Sequence, residues 1–239
     1  MLLFPLTILF GWLSDRIGRR PVLLAGLLLG CLAIFPVYKG LMHYGNPTLE
    51  HFNREVPVEL FGESCTYSPF TAARNDCERN QELLAKLGVT YTLHPAQASG
   101  ATLLRVGKQD GVAGFHSANL TGALKAEGWT EHADTQQSNR MMIFLLLVVL
   151  VIAVALITGP QTATLAELFP ARTRYTAVAL PHNLSAGWIG GMSPFMITLL
   201  SVKAGDAISG MWYPVGLLAM ALLIGVFFLP ETKNMPLDD

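Results

Sequence analysis

Residues 11–21, GWLSDRIGRRP, place four charged side chains within six positions, between two strongly apolar stretches. MLLFPLTILF (residues 1–10) precedes them and VLLAGLLLGCLAIF (residues 22–35) follows them. The rest of the chain is also apolar, since 51% of its 239 residues are hydrophobic and only 14% are charged. This composition is typical of a membrane protein rather than of a soluble domain. The charged block therefore indicates a place where the chain leaves the bilayer.

Long uncharged runs predict the membrane-spanning helices. Residues 141–166, 176–202 and 207–230 contain no Asp, Glu, Lys or Arg. A helix needs roughly 20 apolar residues to cross about 30 Å of hydrocarbon. Residues 21–38 form a shorter run, which Lys39 lengthens because its long side chain can reach outward to the interface. We therefore predict four complete spans.

The first ten residues are too few for a complete span, because ten residues of helix measure about 15 Å. No charge precedes this apolar stretch and the arginines follow it, which is the reverse of a secretory signal. We expect residues 1–10 to be the last part of a span, and the chain to be a fragment of a longer protein.

Basic residues in the short connections predict the orientation of the spans. They fall between the first two apolar runs, between residues 166 and 176, and after the last run (Arg16, Arg19, Arg20, Arg172, Arg174 and Lys233). By the positive-inside rule these connections and the C-terminus are cytoplasmic, so residues 43–140 are extracytoplasmic.

Residues 43–140 differ in composition from the spans. They hold 19 of the 33 charged residues, 8 basic and 11 acidic. Within them NDCERNQELLAKLG (75–88) predicts a short helix ended by Gly88, and VTYTL (89–93) and ATLLRV (101–106) predict short strands. We expect a small mixed α/β insertion.

Two of the three cysteines, Cys65 and Cys77, lie in this insertion twelve positions apart. An exterior compartment permits disulfides, and closing such a loop stabilises a small domain by roughly 3 kcal/mol. We predict a Cys65–Cys77 bridge, with two free thiols as the alternative. A zinc site is disfavoured, because neither a CxxC pair nor a paired His motif accompanies them.

Enzyme motifs are absent from the sequence. GATLLRVGK (100–108) has the wrong spacing for a P-loop, and there is no GxSxG, HExxH or GxGxxG before a helix. The sequence therefore predicts no enzyme, no cofactor, no metal site and no nucleic-acid partner.

GWLSDRIGRR resembles the G-x-L-[ST]-D-R-x-G-R-R signature of the major facilitator superfamily of secondary transporters. GPQTATLAELFPARTRYTAVALPHNLSAGWIGGMSPF (159–195) resembles the tenth and eleventh spans of its metabolite:proton symporter family, which includes carriers for 2-oxoglutarate, shikimate and proline or betaine. FFLPETKN (227–234) resembles the end of the twelfth span. The resemblance covers residues 1–40 and 141–235.

The resemblance implies an all-α polytopic membrane protein: the distal part of a C-terminal six-helix bundle, with a small mixed α/β extracytoplasmic insertion. Residues 1–42 would be the end of span eight, the signature loop and span nine, residues 43–140 the insertion, and residues 141–239 spans ten to twelve and a cytoplasmic tail. The implied function is proton-coupled symport of a small polar metabolite, an organic acid or a betaine, across the bacterial inner membrane. The implied partners are the lipid bilayer, protons and a missing N-terminal half, because these carriers bind substrate between two halves.

The resemblance also implies a cytoplasmic gate made of charges. Its members are Asp15 and the three arginines that follow, joined by Glu167, Arg172 and Arg174 of AELFPARTR. We hypothesise that Glu167 pairs with an arginine of the opening motif. Gly11 and Gly18 are predicted to form the tight turn between two helices. Topology anchoring alone remains the simpler alternative for the arginines.

Polar residues within the spans are candidates for the path of substrate or protons, because polar groups there usually face a cavity. They are Gln161, His182, Asn183 and Trp188, with His182 favoured for proton sensing or carboxylate binding. The alternative for His182 is a place near the cytoplasmic interface. For the whole chain, two other functions stay open: a membrane-anchored binding protein that displays the insertion, and a remnant without activity.

Overall fold

The computed structural model describes residues 1–63, 65–68, 70–95, 102–109, 111–133, 137–170 and 172–233. These residues form two compact units. The first contains Met1–Val37, Phe144–Ser193 and the chain from Trp212, and the second contains Tyr38–Ile143 and Pro194–Met211.

Long helices account for the membrane part of the chain. They are α1 (Leu3–Ile17), α2 (Arg19–Gly45), α6 (Arg140–Leu168), α7 (Arg174–Asn183), α8 (Gly191–Ala204) and α9 (Trp212–Phe228). A π-helix, Leu184–Gly190, joins α7 to α8, and a short 3₁₀ helix, Ser209–Met211, precedes α9. The helices α3 to α5 lie between α2 and α6 in the chain and are described below.

Four helical stretches in the described part of the chain are long and apolar enough to cross a membrane: Arg19–Gly45, Arg140–Leu168, Arg174–Ala204 and Ser209–Phe228. They correspond to the four predicted spans: the first three extend the predicted runs by a few residues, and the fourth is two residues shorter at each end. The 15 residues of α1 are shorter than a span.

Glycines on α2 allow its neighbours in the first unit to approach closely. A Cβ atom on Gly26 would lie 2.8 Å from the Leu156 Cβ of α6, and one on Gly30 would lie 3.1 Å from the Leu218 Cδ1 of α9. Helices in a membrane associate largely through such packing of small residues, because lipid provides no hydrophobic drive between them. The first unit is therefore held partly by contacts that a larger side chain would obstruct.

The second unit contains a four-stranded sheet in the order β2-β1-β3-β4. Its strands are β1 (Val58–Phe61), β2 (Thr92–His94), β3 (Leu103–Val106) and β4 (Val112–Ala113). β1 pairs with β2 in parallel, and the β1–β3 and β3–β4 pairs are antiparallel. Leu60 lies opposite both Leu93 and Leu104, which fixes the register of the three longer strands.

Three short helices accompany this sheet: α3 (Pro47–Glu55), α4 (Asp76–Leu87) and α5 (Ser117–Ala126). Their buried residues share one hydrophobic core with alternate residues of the strands, and that core includes Phe52, Leu60, Leu84, Leu104 and Leu120. α4 is the helix predicted for residues 75–88. β3 falls within the second predicted strand, and β2 overlaps the end of the first and continues to His94. We call the sheet and these helices the α/β module.

Cys65 and Cys77 are joined by a disulfide, with 5.4 Å between their Cα atoms. Cys77 lies in the first turn of α4 and is buried in the core of the module. Gly62 packs directly against the bridge, since a Cβ atom there would lie 2.8 Å from the Cys77 Sγ. The disulfide thus connects the end of β1 with the start of α4.

The second unit includes one segment that the sequence analysis assigned to the membrane spans. Pro194–Met211 belongs to the same compact unit as the α/β module. Tyr91 of the module contacts this segment, because its backbone and side chain both bond to the end of α8. Hydropathy alone does not reveal such a contact.

Candidate functional site

The turn between α1 and α2 consists of a single residue, Gly18. Its φ is 116° and its N–H donates to the Ser14 carbonyl at 3.0 Å. A Cβ atom there would lie 2.5 Å from Glu231 Oε2. Gly18 is required both by its left-handed backbone and by the carboxylate packed against it.

Gly11 is not part of this turn, so the prediction of its role is wrong. It lies inside α1, and its carbonyl accepts a hydrogen bond from Ser14 Oγ at 2.7 Å. It faces Gly159 of α6, where an added Cβ atom would lie 2.9 Å from the Gly11 nitrogen and 3.0 Å from the Thr7 carbonyl oxygen. The two helices cross with their backbones in contact, which explains the small residues at this point.

Arg19, the first residue of α2, pairs with Glu167 near the end of α6. Arg19 Nη2 lies 2.8 Å from Glu167 Oε1, and Arg19 Nε donates to both carboxylate oxygens at 3.2 and 3.1 Å. The two side chains are 13% and 17% exposed. A forked, largely buried pair of this kind is stronger and more directional than an exposed ion pair.

Further groups complete the pair. Arg19 Nη1 donates to Asp15 Oδ1 and, at 3.0 Å, to the buried Ser14 Oγ. Thr232, itself buried, donates its hydroxyl to Glu167 Oε2 at 2.6 Å. The cluster therefore joins the end of α1, the start of α2, the end of α6 and the chain after α9.

Glu231 makes a contact that the sequence analysis did not anticipate. Its carboxylate accepts hydrogen bonds from the backbone N–H groups of Arg19 at 2.8 Å and Arg20 at 3.2 Å, the free donors at the start of α2. The N–H of Lys233 adds a third bond at 3.1 Å. Burial raises the pKa of Glu231, but these N–H groups outweigh it and hold the pKa below its usual value. A carboxylate here also opposes the positive end of the helix dipole.

Arg16 and Arg20, the other arginines of the opening motif, have contacts other than ion pairs. The Arg16 guanidinium lies over the Trp12 ring, 4.1 Å from the ring centroid. The backbone carbonyl of Arg16 accepts a hydrogen bond from Lys233 Nζ at 2.5 Å. Arg20 Nη2 donates to the Val226 carbonyl of α9 at 2.5 Å. These contacts hold the ends of α1 and α9 to the same charged cluster.

Arg172 and Arg174 do not join the cluster as predicted. Within the described ranges neither forms an ion pair, and Arg174 Nε instead donates to the Phe169 carbonyl at 3.3 Å. The carbonyls at the end of α6 lack helical partners, so a nearby arginine finds an acceptor there without a carboxylate.

Two open cavities border α7. One, of about 700 Å³, is lined by Tyr175, Leu180, Asn183 and Trp188 among others. The second, of about 530 Å³, is lined by Arg174, His182 and Asn183 together with apolar residues. Three of the four predicted path residues thus border cavities, whereas Gln161 lines neither of these two.

The helix that carries these residues is irregular. Pro181 lies near the end of α7, and the next turn is the π-helix Leu184–Gly190, which contains Trp188. Every residue from Pro181 to Gly190 is exposed. Such π segments are frequent at functional sites. Among the residues that the structure describes, no group of three or more His, Cys, Asp or Glu could hold a metal ion.

Four apolar helices among the described residues, long enough to cross a membrane and with a charge cluster at their ends, are what a multi-pass membrane protein requires, and comparison with known proteins identifies the class. The sugar (and other) transporter family matches residues 114–239. The chain is 33% identical over 96 residues to a glycine betaine/proline/ectoine/pipecolic acid transporter of Dickeya dadantii, which is 40% of this chain and 19% of that protein. It is 30% identical over 96 residues to a proline/betaine transporter of Salmonella typhimurium, again 40% of this chain and 19% of that protein.

The chain belongs to the sugar (and other) transporter family, within the major facilitator superfamily of metabolite transporters. The family and these relatives are transporters and not enzymes. The matched segment spans about a fifth of the length of the curated relatives. No solved structure matches the chain.

Proposed function

We propose that the chain acts in secondary active transport, as part of a carrier that moves a small polar metabolite together with protons. The observation that carries the proposal is the Arg19–Glu167 pair, which brings the opening motif against the end of α6 in a largely buried contact. A chain that served only to anchor a domain would need basic residues at the membrane interface. It would not need a carboxylate placed to pair with one of them.

The pair supports a gate because its charges are satisfied in two distinct states: paired with each other while the gate is closed, and solvated by water while it is open. While it is closed, both charges are satisfied, and removing one partner leaves an uncompensated charge. When helices move apart, water can solvate both groups in the open state. A contact of this type stabilises one arrangement of the helices without locking it, as a rocking carrier requires. Asp15, 58% exposed, already bonds to Arg19 beside Glu167 and would remain as its partner when Glu167 withdraws.

The place of the chain within the carrier follows from the same proposal. Residues 1–42 would end span eight and form span nine, residues 43–140 the insertion, and residues 141–239 spans ten to twelve and the tail. A second half, provided by the rest of the carrier, would cover the exposed face at residues 181–190 and complete the substrate site between the two halves.

His182 and Asn183 are the proposed contacts for substrate or protons. Both border the cavity that also contains Arg174, so an anionic or zwitterionic metabolite would find a cation, an amide and a titratable imidazole together. Betaine and proline, for which these relatives are named, are zwitterions of this kind. Trp188 on the π-helix could add an aromatic surface for a quaternary ammonium group, and Gln161 stays a weaker candidate.

The proposed location is the bacterial inner membrane. The cluster around Arg19, with Arg172 and Arg174 nearby in sequence, would face the cytoplasm together with the C-terminus, because basic residues in short connections favour that side. The α/β module would then be extracytoplasmic, which fits its disulfide.

Uptake measurements test the proposal. The chain is produced in cells that lack betaine and proline carriers, alone and together with the remaining spans of a related carrier, and labelled glycine betaine, proline and 2-oxoglutarate are supplied at pH 5.5 and 7.5. We expect the completed carrier to accumulate at least one of the three labelled compounds. Uptake should be faster at pH 5.5 than at pH 7.5 and should stop when an uncoupler is added. Absence of uptake from every arm would contradict the proposal, and uptake insensitive to pH and uncoupler would remove the proton from it.

A further inference from the structure

The C-terminal end of α8 is closed by a glycine. Gly205 has a φ of 68°, its N–H donates to the Val202 carbonyl at 3.2 Å, and the N–H of Asp206 donates to the Ser201 carbonyl at 3.1 Å. This pair of bonds is the Schellman arrangement, which satisfies carbonyls that the helix leaves free. The end of α8 is therefore a well-defined surface and not a frayed terminus.

Tyr91 of the α/β module binds this same helix end at two points. Its backbone N–H donates to the Gly205 carbonyl at 2.8 Å, and its phenol donates to the Val202 carbonyl at 2.5 Å. Tyr91 and Val202 are both buried. Burial raises the pKa of Tyr91 to about 12, so the phenol keeps the proton that it donates.

The contact with Tyr91 leaves room only for glycine at position 205. A Cβ atom on Gly205 would overlap the Tyr91 carbonyl oxygen. The left-handed φ independently favours glycine, so two separate constraints meet at one position. A second contact lies earlier on α8, where the rings of Phe70 and Phe195 stack with centroids 5.1 Å apart and an angle of 23° between their planes.

The module holds Tyr91 firmly in place. Asn53 of α3 donates its amide to the Gly88 carbonyl at 3.0 Å and accepts from the Thr90 N–H at 3.0 Å. Tyr91 is the next residue, and β2 begins directly after it at Thr92. Position 91 is therefore fixed from both sides, by the side chain of α3 and by the sheet.

We infer that Tyr91 and Gly205 form a latch, by which the α/β module holds the end of α8 in one position. Through the latch, the module fixes the C-terminal end of the helical stretch that runs from Arg174 through the π segment to Ala204. Its consequence for transport rests on the proposed function: any movement of this helix end either carries the module along or opens the latch.

Hydrogen exchange of the backbone amides in the full chain, in detergent micelles, tests the latch without any need for transport. The reporting amides are those of Gly205 and Asp206. Tyr91→Phe removes only the phenol donor, and we expect exchange at these two amides to become roughly fivefold faster. Gly205→Ala obstructs both points, and we expect an increase of at least tenfold.

Two matched variants serve as controls. Tyr38→Phe removes a phenol from α2, and Gly128→Ala introduces an alanine at a φ of 97° where no neighbouring atom lies within 4 Å. Both are expected to leave exchange at residues 205 and 206 at the wild-type rate. If Gly205→Ala does not fold, the exchange rates of the Gly205 and Asp206 amides in Tyr91→Phe alone test the latch.

The outcomes separate the latch from the transport function. Wild-type exchange in Tyr91→Phe would overturn the latch, even if the variant lost uptake. Faster exchange confined to the end of α8 would support it, even in a chain that transports nothing. Equal acceleration across the module and α8 would show general unfolding and would also overturn it.

Discussion

Arg19 and Glu167 are separated by 148 positions in the chain, yet the Nη2 of the first lies 2.8 Å from the Oε1 of the second. Arg19 begins α2 and Glu167 lies in the last turn of α6, so the pair joins the same-side ends of two spans. Thr232 adds the chain after α9 to this contact. Any change that separates these ends must break a forked, largely buried pair.

A double-mutant cycle measures the coupling of this pair. Arg19→Gln and Glu167→Gln should each lower the free energy of unfolding by about 2 kcal/mol, because each breaks the largely buried pair and leaves the remaining charge with only its outer partner, Asp15 for Arg19 or Thr232 for Glu167. The double variant should lose less than the sum, with a coupling of about 1–2 kcal/mol. Thermal unfolding in detergent micelles gives all four values. The matched control is the Arg54–Glu50 pair, also 2.8 Å apart but with side chains 76% and 26% exposed, for which coupling of only about 0.5 kcal/mol is expected. Equal coupling in both cycles would contradict a special role for Arg19 and Glu167.

Substitution of Gly18 should be costly for two reasons. Gly18→Ala places a side chain at a left-handed φ and against the Glu231 carboxylate, so we expect a loss of about 2–3 kcal/mol in the free energy of unfolding. Gly128→Ala carries the backbone strain without a neighbour and should lose only about 1 kcal/mol. The difference between the two, from the same unfolding measurement, isolates the contact with Glu231. If both variants lose the same amount, the carboxylate does not occupy that place.

Glu231 predicts a dependence of stability on pH. Its pKa in the folded protein is lowered, so its contribution to stability is present above the usual pKa of a glutamate, about 4.3, and is lost as the pH falls through the lower folded value. Glu231→Gln should therefore be less stable than the wild type at pH 7, and the difference should shrink towards pH 3. Melting temperatures of both proteins between pH 7 and pH 3 provide the test. A difference that stays constant over this range would mean that the charge of Glu231 does not stabilise the start of α2.

The disulfide is checked by counting free thiols. Cys65 and Cys77 are bonded, and Cys31 is free. A maleimide added to protein unfolded in detergent should label one cysteine without reductant and three with it, and Cys31 serves as the internal control. Loss of the bridge in Cys65→Ser should lower the free energy of unfolding by roughly 3 kcal/mol, the value expected for a loop of this length. Three labels without reductant would show that the bridge does not form.

The sequence predicted the four spans and a pair between Glu167 and an arginine of the opening motif, which the structure identifies as Arg19. Charges in a membrane protein are few and concentrate at the ends of spans, so positions that share one side have a limited choice of partners. The same reasoning failed for Arg174, because the free carbonyl of Phe169 supplies a nearer acceptor than any carboxylate. It also missed Glu231, whose partners are backbone N–H groups, and these leave no trace in the pattern of side chains.

Contacts that depend on how elements meet in three dimensions were beyond the sequence. β1 is only four residues long and is defined by pairing with strands about 30 and 45 positions away, so its own composition predicts little. The binding of Tyr91 to the end of α8 likewise joins residues 111 positions apart. Gly11 was predicted to form part of a turn, because a single sequence does not distinguish a glycine at a helix crossing from a glycine in a loop.

The crossing of α1 and α6 gives a final prediction. Gly159→Ala adds a methyl group 2.9 Å from the Gly11 nitrogen and 3.0 Å from the Thr7 carbonyl oxygen, and backbone atoms cannot move aside as a flexible side chain would. The helices must separate, so we expect the free energy of unfolding to fall by about 1–3 kcal/mol. Gly216→Ala in α9 is the matched control, since nothing lies within 4 Å of that position. Alanine is the better helix former, so this variant should be unchanged or more stable by up to about 1 kcal/mol. Because both glycines lie within helices, opposite signs in the two variants would identify the backbone contact as the cause, whereas stabilisation by Gly159→Ala would show that α1 and α6 do not cross there.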